Sequence, residues 1–341
     1  MIQGLIVILA LCTGCASARA DETSLKILTF NTWLLDIPVY PFGLRRDISD
    51  DMEKRLHEMP DQLSRTGADI IVLEEVWSAR SKEVLIREMR DRGYPYAAYT
   101  KASKWFFIFQ TAMGDGLLVL SKYPVSDYVV HHDFTSATQY SESFASKGVM
   151  KLVVKHPFHG WMDVYAAHLG AVDFENGDYK QDQAQIHAKQ IEELTNFIKT
   201  TRSHPLTLLA ADLNMHYKKW IRGPGTPHFE NKFSDLYQQL VTSACGYGNH
   251  FVDSYLQTHQ KRIEDEPDYT FDQKNPYVSH GYFDSLPSEV EDYVFLCENS
   301  VLRATSSSLV FKNSHLSDHY GVLSSFSTHE EAREIRVAES R

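Results

Sequence analysis

The sequence predicts an α+β fold of four layers, a four-layer α/β sandwich in which two mixed β-sheets pack face to face and helices cover both outer faces. Three observations carry that prediction. Apolar, β-branched runs such as Asp69–Leu73 and Leu206–Ala210 read as strands buried on both sides. Amphipathic helical segments alternate with strands early in the chain. Strands dominate later. Strands that are apolar on both faces need a second sheet on one side and helices on the other.

The elements follow in order. Lys26–Phe30 opens the series as a strand. From Asp47 to Arg65, Ile48, Met52, Leu56, Met59 and Leu63 recur at three or four, which predicts a helix, and Gly67 stops it. After the Asp69–Leu73 strand, Ser81–Arg90 reads as a second helix. Gly116–Ser121, Val149–Val154 and Trp161–Ala167 read as strands. Asp182–Thr200 is a helix with Ile186, Ile191, Leu194 and Ile198 on one face. Leu206–Ala210, Tyr293–Leu296 and Val322–Ser327 complete the strands.

The 341 residues are 43% hydrophobic, enough for a large core. Length arithmetic suggests two domains, but sandwich folds of this size form one, and no repeat or linker divides the chain. The expected organisation is a signal peptide over 1–20, one domain over 21–330 and a charged tail over 331–341. Leu5–Leu11 is apolar and Ala18-Arg19-Ala20 gives a small-residue cleavage pattern. Thr13-Gly14-Cys15 also resembles the end of a lipoprotein signal, so secretion, a periplasmic or cell-envelope location and lipid anchoring at Cys15 all stay open. Cys245 and Cys297 remain after cleavage; export permits a disulfide between them, and two buried thiols are the alternative. The net charge is −11 and the cationic residues are scattered, so no nucleic acid partner is expected. A monomer is the expected state.

Polar residues gather where the apolar strands end. Asn31 follows Ile27–Phe30, Glu74 and Glu75 follow Ile70–Leu73, His168 follows Val164–Ala167, and Asp212 and Asn214 follow Leu208–Ala211. Asp292 precedes Tyr293–Leu296, and Asp318 and His319 precede Tyr320–Leu323. Buried carboxylates are too costly to scatter without partners, so these six ends point to one convergent cluster. Hard oxygen donors suit Mg²⁺ and phosphoryl transfer, and a histidine beside the ion can take a proton from water. Neither the cysteine spacing nor an H-E-x-x-H pattern offers a zinc site.

Taken together, Leu28–Trp33, Val72–Trp77, Gly116–Pro124, Ala167–Leu169, Ala211–Asn214, Asp292–Phe295 and Ser317–His319 resemble, in order, the motifs of the endonuclease/exonuclease/phosphatase superfamily, the deoxyribonuclease-I-like phosphodiesterases. The tryptophans at 33 and 77, the Ser143–Val149 segment and Asp268–Asn275 resemble its neutral sphingomyelinase branch. The resemblance implies Mg²⁺ (Mn²⁺ as a substitute) held principally by Glu75 with Asn31 beside it, and Asp318 completing that site or a second one. It implies Asp212 orienting the attacking water, Asn214 donating to a phosphoryl oxygen, His319 as general base oriented by Asp292, and His168 donating to the phosphate or protonating the leaving oxygen. Lys147 stands in a loop like the branch's switch loop, with Glu142 five residues earlier where the branch has Asp; Asn275 and Phe271 fall in the substrate segment. Glu74 replaces the branch's Gln and is expected to add negative charge near the metal.

The aromatic stretch Trp105, Phe106, Phe107, Ile108 and Phe109 has two readings: a membrane contact beside the site, or a strand buried on both faces. The implied reaction is hydrolysis of sphingomyelin, or a related phospholipid at a membrane surface, to ceramide and phosphocholine. Another phospholipase C or phosphoinositide phosphatase, a secreted nuclease and a non-catalytic lipid-binding relative are the alternatives.

Overall fold

A computed structural model describes residues 23–39, 44–100, 105–106, 109–110, 114–134, 146–171, 174–175, 178–179, 181–221, 228–246, 248–279, 286–298 and 301–328. The expected signal segment, Glu142, Phe107 and the charged tail lie outside the described residues.

Twelve strands build two six-stranded sheets. In chain order they are β1 (Leu25–Leu34), β2 (Ile70–Val76), β3 (Tyr96–Tyr99), β4 (Leu118–Ser121), β5 (Val130–Asp133), β6 (Gly148–His156), β7 (Gly160–His168), β8 (Thr207–Asp212), β9 (Phe251–Asp253), β10 (Asp292–Cys297), β11 (Leu302–Val310) and β12 (Gly321–Thr328). The first sheet runs β11-β12-β1-β2-β4-β3, and the second runs β9-β10-β8-β7-β6-β5. β1 is parallel to β2 and β7 to β8, and the other ladders within the two sheets are antiparallel.

Alternate side chains of each sheet go to different cores. Ile27, Val72 and Val119 of the first sheet meet Leu152, Val164, Leu208 and Val294 of the second between the layers. The opposite face of the first sheet presents Leu28, Phe30, Ile71 and Leu73 to α1 (Met52–Arg65) and α2 (Ala79–Arg90), which contribute Leu56, Met59, Leu63 and Leu85. The outer face of the second sheet packs Tyr165, Leu209 and Phe295 under α3 (Gln181–Thr201) and α4 (Asp235–Ser243), through Ile191, Leu194, Ile198 and Leu240. This is the four-layer arrangement that doubly buried strands require.

Three differences from the sequence reading stand out. The first helix starts at Met52, because Asp36–Val39 and Leu44–Asp47 pair as a hairpin; Ile48 is therefore exposed instead of lying on a buried helical face. β11 reads Leu-Arg-Ala-Thr-Ser-Ser-Ser-Leu-Val and lacks the apolar run of an interior strand; it lies at the sheet edge, where one neighbour suffices. Trp105–Phe106 pairs with Phe109–Gln110 as a separate two-stranded hairpin, not as a strand of either large sheet.

Cys245, just after α4, is bonded to Cys297 at the end of β10, with Cα atoms 5.8 Å apart and a sequence separation of 52. Closing a loop of that length should stabilise the fold by about 4 kcal/mol through the unfolded chain. Cys245→Ser is expected to lower the unfolding free energy by that order in denaturant titration. An unchanged midpoint under non-reducing conditions would count against the bond.

Candidate active site

Ladder register delivers the site. In the second sheet His168 pairs with Asp212 and Asp212 with Asp292, so three adjacent strands carry an imidazole and two carboxylates in one row. In the first sheet Asn31 pairs with Glu74, which puts Glu75 one residue beyond it. The sheets meet here: Asn31 Nδ2 donates to Asp212 Oδ2 at 2.8 Å, across 181 residues of chain.

The backbone turns sharply at these strand ends. Trp33, Glu75 and Asn214 have φ of 47°, 58° and 46°, left-handed values that cost side-chain-bearing residues free energy. Three such residues around one cleft mark local geometry that surrounding contacts enforce. Trp33 N–H donates to Asn31 Oδ1 (2.9 Å) and Asn214 N–H to Asp212 Oδ1 (2.9 Å), so the turns also fix the side chains. Gly116 must be glycine: its φ is +72°, and a Cβ would approach the Trp77 ring at 3.1 Å and Glu75 N at 3.2 Å.

Two histidines face the cleft with opposite electrostatics. His319 donates from Nδ1 to Asp292 Oδ2 at 2.8 Å, which presents Nε2 to the cleft. Burial opposes its charge, but Asp292, Asp318 and Asp212 outweigh burial and hold the ring well above the usual imidazole range. His168 is the reverse. Burial, with help from Lys147 and His319, holds it well below that range, so the ring is neutral near pH 7. Lys147 Nζ donates to the His168 ring, 2.7 Å from Nε2, and lies over Trp77, 5.4 Å from the ring centroid. His168 Nε2 is 3.4 Å from Asp212 Oδ2 and 3.7 Å from Glu75 Oε1.

Carboxylates outnumber these cations. Burial, then Asp292, pushes Asp212 up to about 6 against the pull of His319. Burial and Glu75 push Asp318 up to about 6, again against His319. Asp292 Oδ1 is buried without a hydrogen-bond partner. The donors are hard oxygens, and the site is short of positive charge; both features fit a divalent cation such as Mg²⁺. The side chains of Asp212, Asp292 and His319 converge closely enough to hold an ion, their ligand atoms all within 4.8 Å of one another.

The site residues expected from the sequence thus fall into one region. Asn31, Glu75, His168, Asp212, Asp292 and His319 are linked by direct contacts; Asn214 Nδ2 donates to Leu169 O at 3.0 Å beside them. Asp318 accepts from Ser317 Oγ, and Asn275 Nδ2 donates to Ser317 O, so Asn275 braces the loop that carries Asp318 and His319. Glu74 is buried, Thr29 Oγ1 donates to its Oε1 at 2.7 Å, and burial with Asp292 pushes its carboxyl well above the ordinary range, which weakens the negative charge expected there.

Two residues escaped the sequence reading. Arg55, buried on α1, donates to the carbonyls of Thr32, Trp33, Asp50 and Leu316 and to Ser49 Oγ, tying the end of β1 after Asn31 to the loop before Asp318. Its ordinary place in an amphipathic helix concealed it; an arginine at an otherwise apolar a/d-like position was the available signal. Glu291 places Oε2 3.7 Å from His319 Nε2. It directly precedes Asp292, so a second carboxylate at that strand entrance was the clue.

The family model for the Endonuclease/Exonuclease/phosphatase family matches residues 28–319. The chain belongs to that family. Sphingomyelin phosphodiesterase 2 of Mus musculus is 27% identical over 278 residues, covering 80% of this chain and 56% of that protein. The chain spans 39% to 56% of the length of the curated relatives first matched. Among solved structures, sphingomyelinase C from Streptomyces griseocarneus superposes with a TM-score of 0.61 at 20% identity, over 89% of this chain and 99% of that one. A beta toxin variant from Staphylococcus aureus with bound magnesium ions gives 0.59 at 16%, over 90% and 100%. These structures share the two-sheet fold.

Because Asp212 and Asp318 sit at about 6 in the metal-free protein, protons compete with a cation for them below that pH. The rise in melting temperature on adding Mg²⁺ is expected to be large at pH 7 and to shrink steadily as pH falls through 6 to 5. A shift independent of pH over that range would exclude these carboxyls from the cation site.

Proposed function

We propose that this chain is a Mg²⁺-dependent phosphodiesterase that hydrolyses sphingomyelin to ceramide and phosphocholine at a membrane surface. The observation that carries the reading is the single cleft in which Asn31 binds Asp212 across the two sheets, with His319 oriented by Asp292 beside them. The names of the curated relatives choose the substrate within the family.

Each residue then has a task. Asn31, Glu75 and Asp318 would hold Mg²⁺, with Mn²⁺ as a substitute; when bound, the ion supplies positive charge against the phosphoryl oxygens. Asp212 accepts a hydrogen bond from the attacking water and aims it at phosphorus. Once a bound cation offsets the carboxylates that raise it in the metal-free protein, His319, steadied through Nδ1, would take the water proton at Nε2. Asn214 donates to a phosphoryl oxygen. On the leaving side, the Lys147 ammonium, held against Nε2 of the neutral His168 ring, supplies the proton and charge that the departing ceramide oxygen needs. Lys147 therefore does more than flank a switch loop in this reading.

The Trp105–Phe106 hairpin, standing apart from both sheets, is the proposed membrane contact, with Phe107 next to it. Export is supported by the apolar Leu5–Leu11 segment, the Ala18-Arg19-Ala20 pattern and the Cys245–Cys297 bond, which persists in oxidising compartments.

Purified protein should release phosphocholine from sphingomyelin vesicles with Mg²⁺, and a chelator should stop it. His319→Ala is expected to cut turnover by roughly 10²–10⁴-fold while vesicle binding persists. Glu75→Gln should raise the Mg²⁺ concentration needed for half-maximal rate. Cleavage of plasmid DNA with no release from sphingomyelin would reverse the assignment.

A further inference from the structure

Arg55 stands on α1, yet it holds two segments that lead into the cleft. A guanidinium carries five N–H donors in a fixed plane, and here each has an acceptor. Nε donates to Asp50 O (2.8 Å), Nη1 to Thr32 O (2.7 Å) and Leu316 O (2.9 Å), and Nη2 to Trp33 O (2.7 Å) and Ser49 Oγ (3.0 Å). The side chain is buried, and all five acceptors are neutral oxygens. The Trp33 and Tyr277 ring centroids lie 5.0 and 5.5 Å from its central carbon.

These acceptors sit where regular strand pairing gives way. Thr32 and Trp33 fall in the irregular stretch between Asn31 and Leu34, where the β1–β2 register shifts. Leu316 lies between β11 and β12. Buried carbonyls without ladder partners need donors from elsewhere, and one planar cation supplies both segments at once. Each segment passes the constraint to a site residue. Trp33, at a φ of 47°, donates its N–H to Asn31 Oδ1, and Asn31 Nδ2 reaches Asp212 Oδ2. Beyond Leu316, Ser317 O accepts from Asn275 Nδ2, Ser317 Oγ donates to Asp318 Oδ1, and His319 N–H donates to Ser317 Oγ.

We infer that Arg55 is a positioning residue for the hydrolysis: it sets the aim of Asn31 and His319 relative to each other. Burying a cation is costly, and here the cost falls where two segments of the site must keep a fixed separation. The planar fork is the property required. Lysine offers three donors at one point and cannot bridge both segments in the same way. The inference rests on the proposed phosphodiesterase activity and adds what keeps the two halves of its site in register. Arg55 itself touches no substrate and moves no proton.

Arg55→Lys keeps the charge and removes the fork. Its kcat on sphingomyelin in detergent micelles is expected to fall roughly 10–100-fold with KM changed by less than about twofold, since the aim of the reacting groups is lost while substrate contacts remain. Calorimetry should show Mg²⁺ binding about tenfold weaker, because Asn31 and Asp318 lie on the tied segments. Arg55→Ala leaves room for a free ion. Guanidinium at a sub-denaturing concentration should restore part of its kcat, and methylammonium should not. Wild-type kcat and Mg²⁺ affinity in Arg55→Lys would overturn the inference. So would losses that merely follow the folded fraction seen by near-ultraviolet circular dichroism, or equal effects of the two added ions. If neither variant folds, Ser49→Ala decides, because it frees one guanidinium N–H: a loss in kcat of about threefold at constant KM supports the inference, and an unchanged kcat overturns it. If the wild-type protein releases no phosphocholine from sphingomyelin, the proposed activity falls, and the Mg²⁺ affinities still decide whether Arg55 positions the site.

Discussion

The structure depends on one constraint: buried carboxylates from both sheets converge where cations are scarce. Glu75 and Asn31 come from the first sheet, and His168, Asp212 and Asp292 from a single row of the second. The Asn31–Asp212 hydrogen bond joins the two edges. Such a group is unfavourable by itself, since burial and mutual repulsion raise Asp212 and Asp318 toward neutrality. Retaining it in a well-packed sandwich makes sense when an ion completes it. The strain at Trp33, Glu75 and Asn214 follows the same logic, because the fold holds these turns in place to keep the donors aimed at one point.

Rigidity of that cleft comes from the layers beneath it. All three cores draw on side chains alternating along doubly covered strands, so a strand end cannot shift without moving its whole ladder. Arg55 adds a clamp from the helical layer, with stacking on Trp33 and Tyr277 at 5.0 and 5.5 Å. The opposed histidines complete the arrangement. His319 is held by carboxylates and His168 by an ammonium, so one cleft contains proton-handling groups of different character a few ångströms apart.

Much of this was legible in the sequence. Apolar runs such as Ile70–Leu73 and Leu208–Ala211 announce interior strands, and the chemistry-bearing residues occur where those runs stop, since a polar side chain can enter a cleft only where the sheet ends. Register was not legible: nothing in the chain says that His168, Asp212 and Asp292 lie side by side, because ladder pairing is set by contacts distant in sequence. Short edge strands such as Tyr96–Tyr99 and the serine-rich β11 were missed because an edge needs little apolar surface. At Glu74 the sequence suggests an anion beside a metal motif, whereas burial pushes that carboxyl well above the ordinary range. Arg55 stands out only as an arginine on the apolar side of its helix, since the backbone carbonyls it binds carry no sequence signal.

The shared cation site is tested most directly by Mg²⁺ calorimetry on a double-mutant cycle of Glu75→Gln and Asp318→Asn. Two residues that hold the same ion should each weaken binding, and the combined loss should depart from the sum of the single losses by more than about 0.5 kcal/mol. Losses that add within that margin, or an affinity that neither substitution changes, would contradict the account.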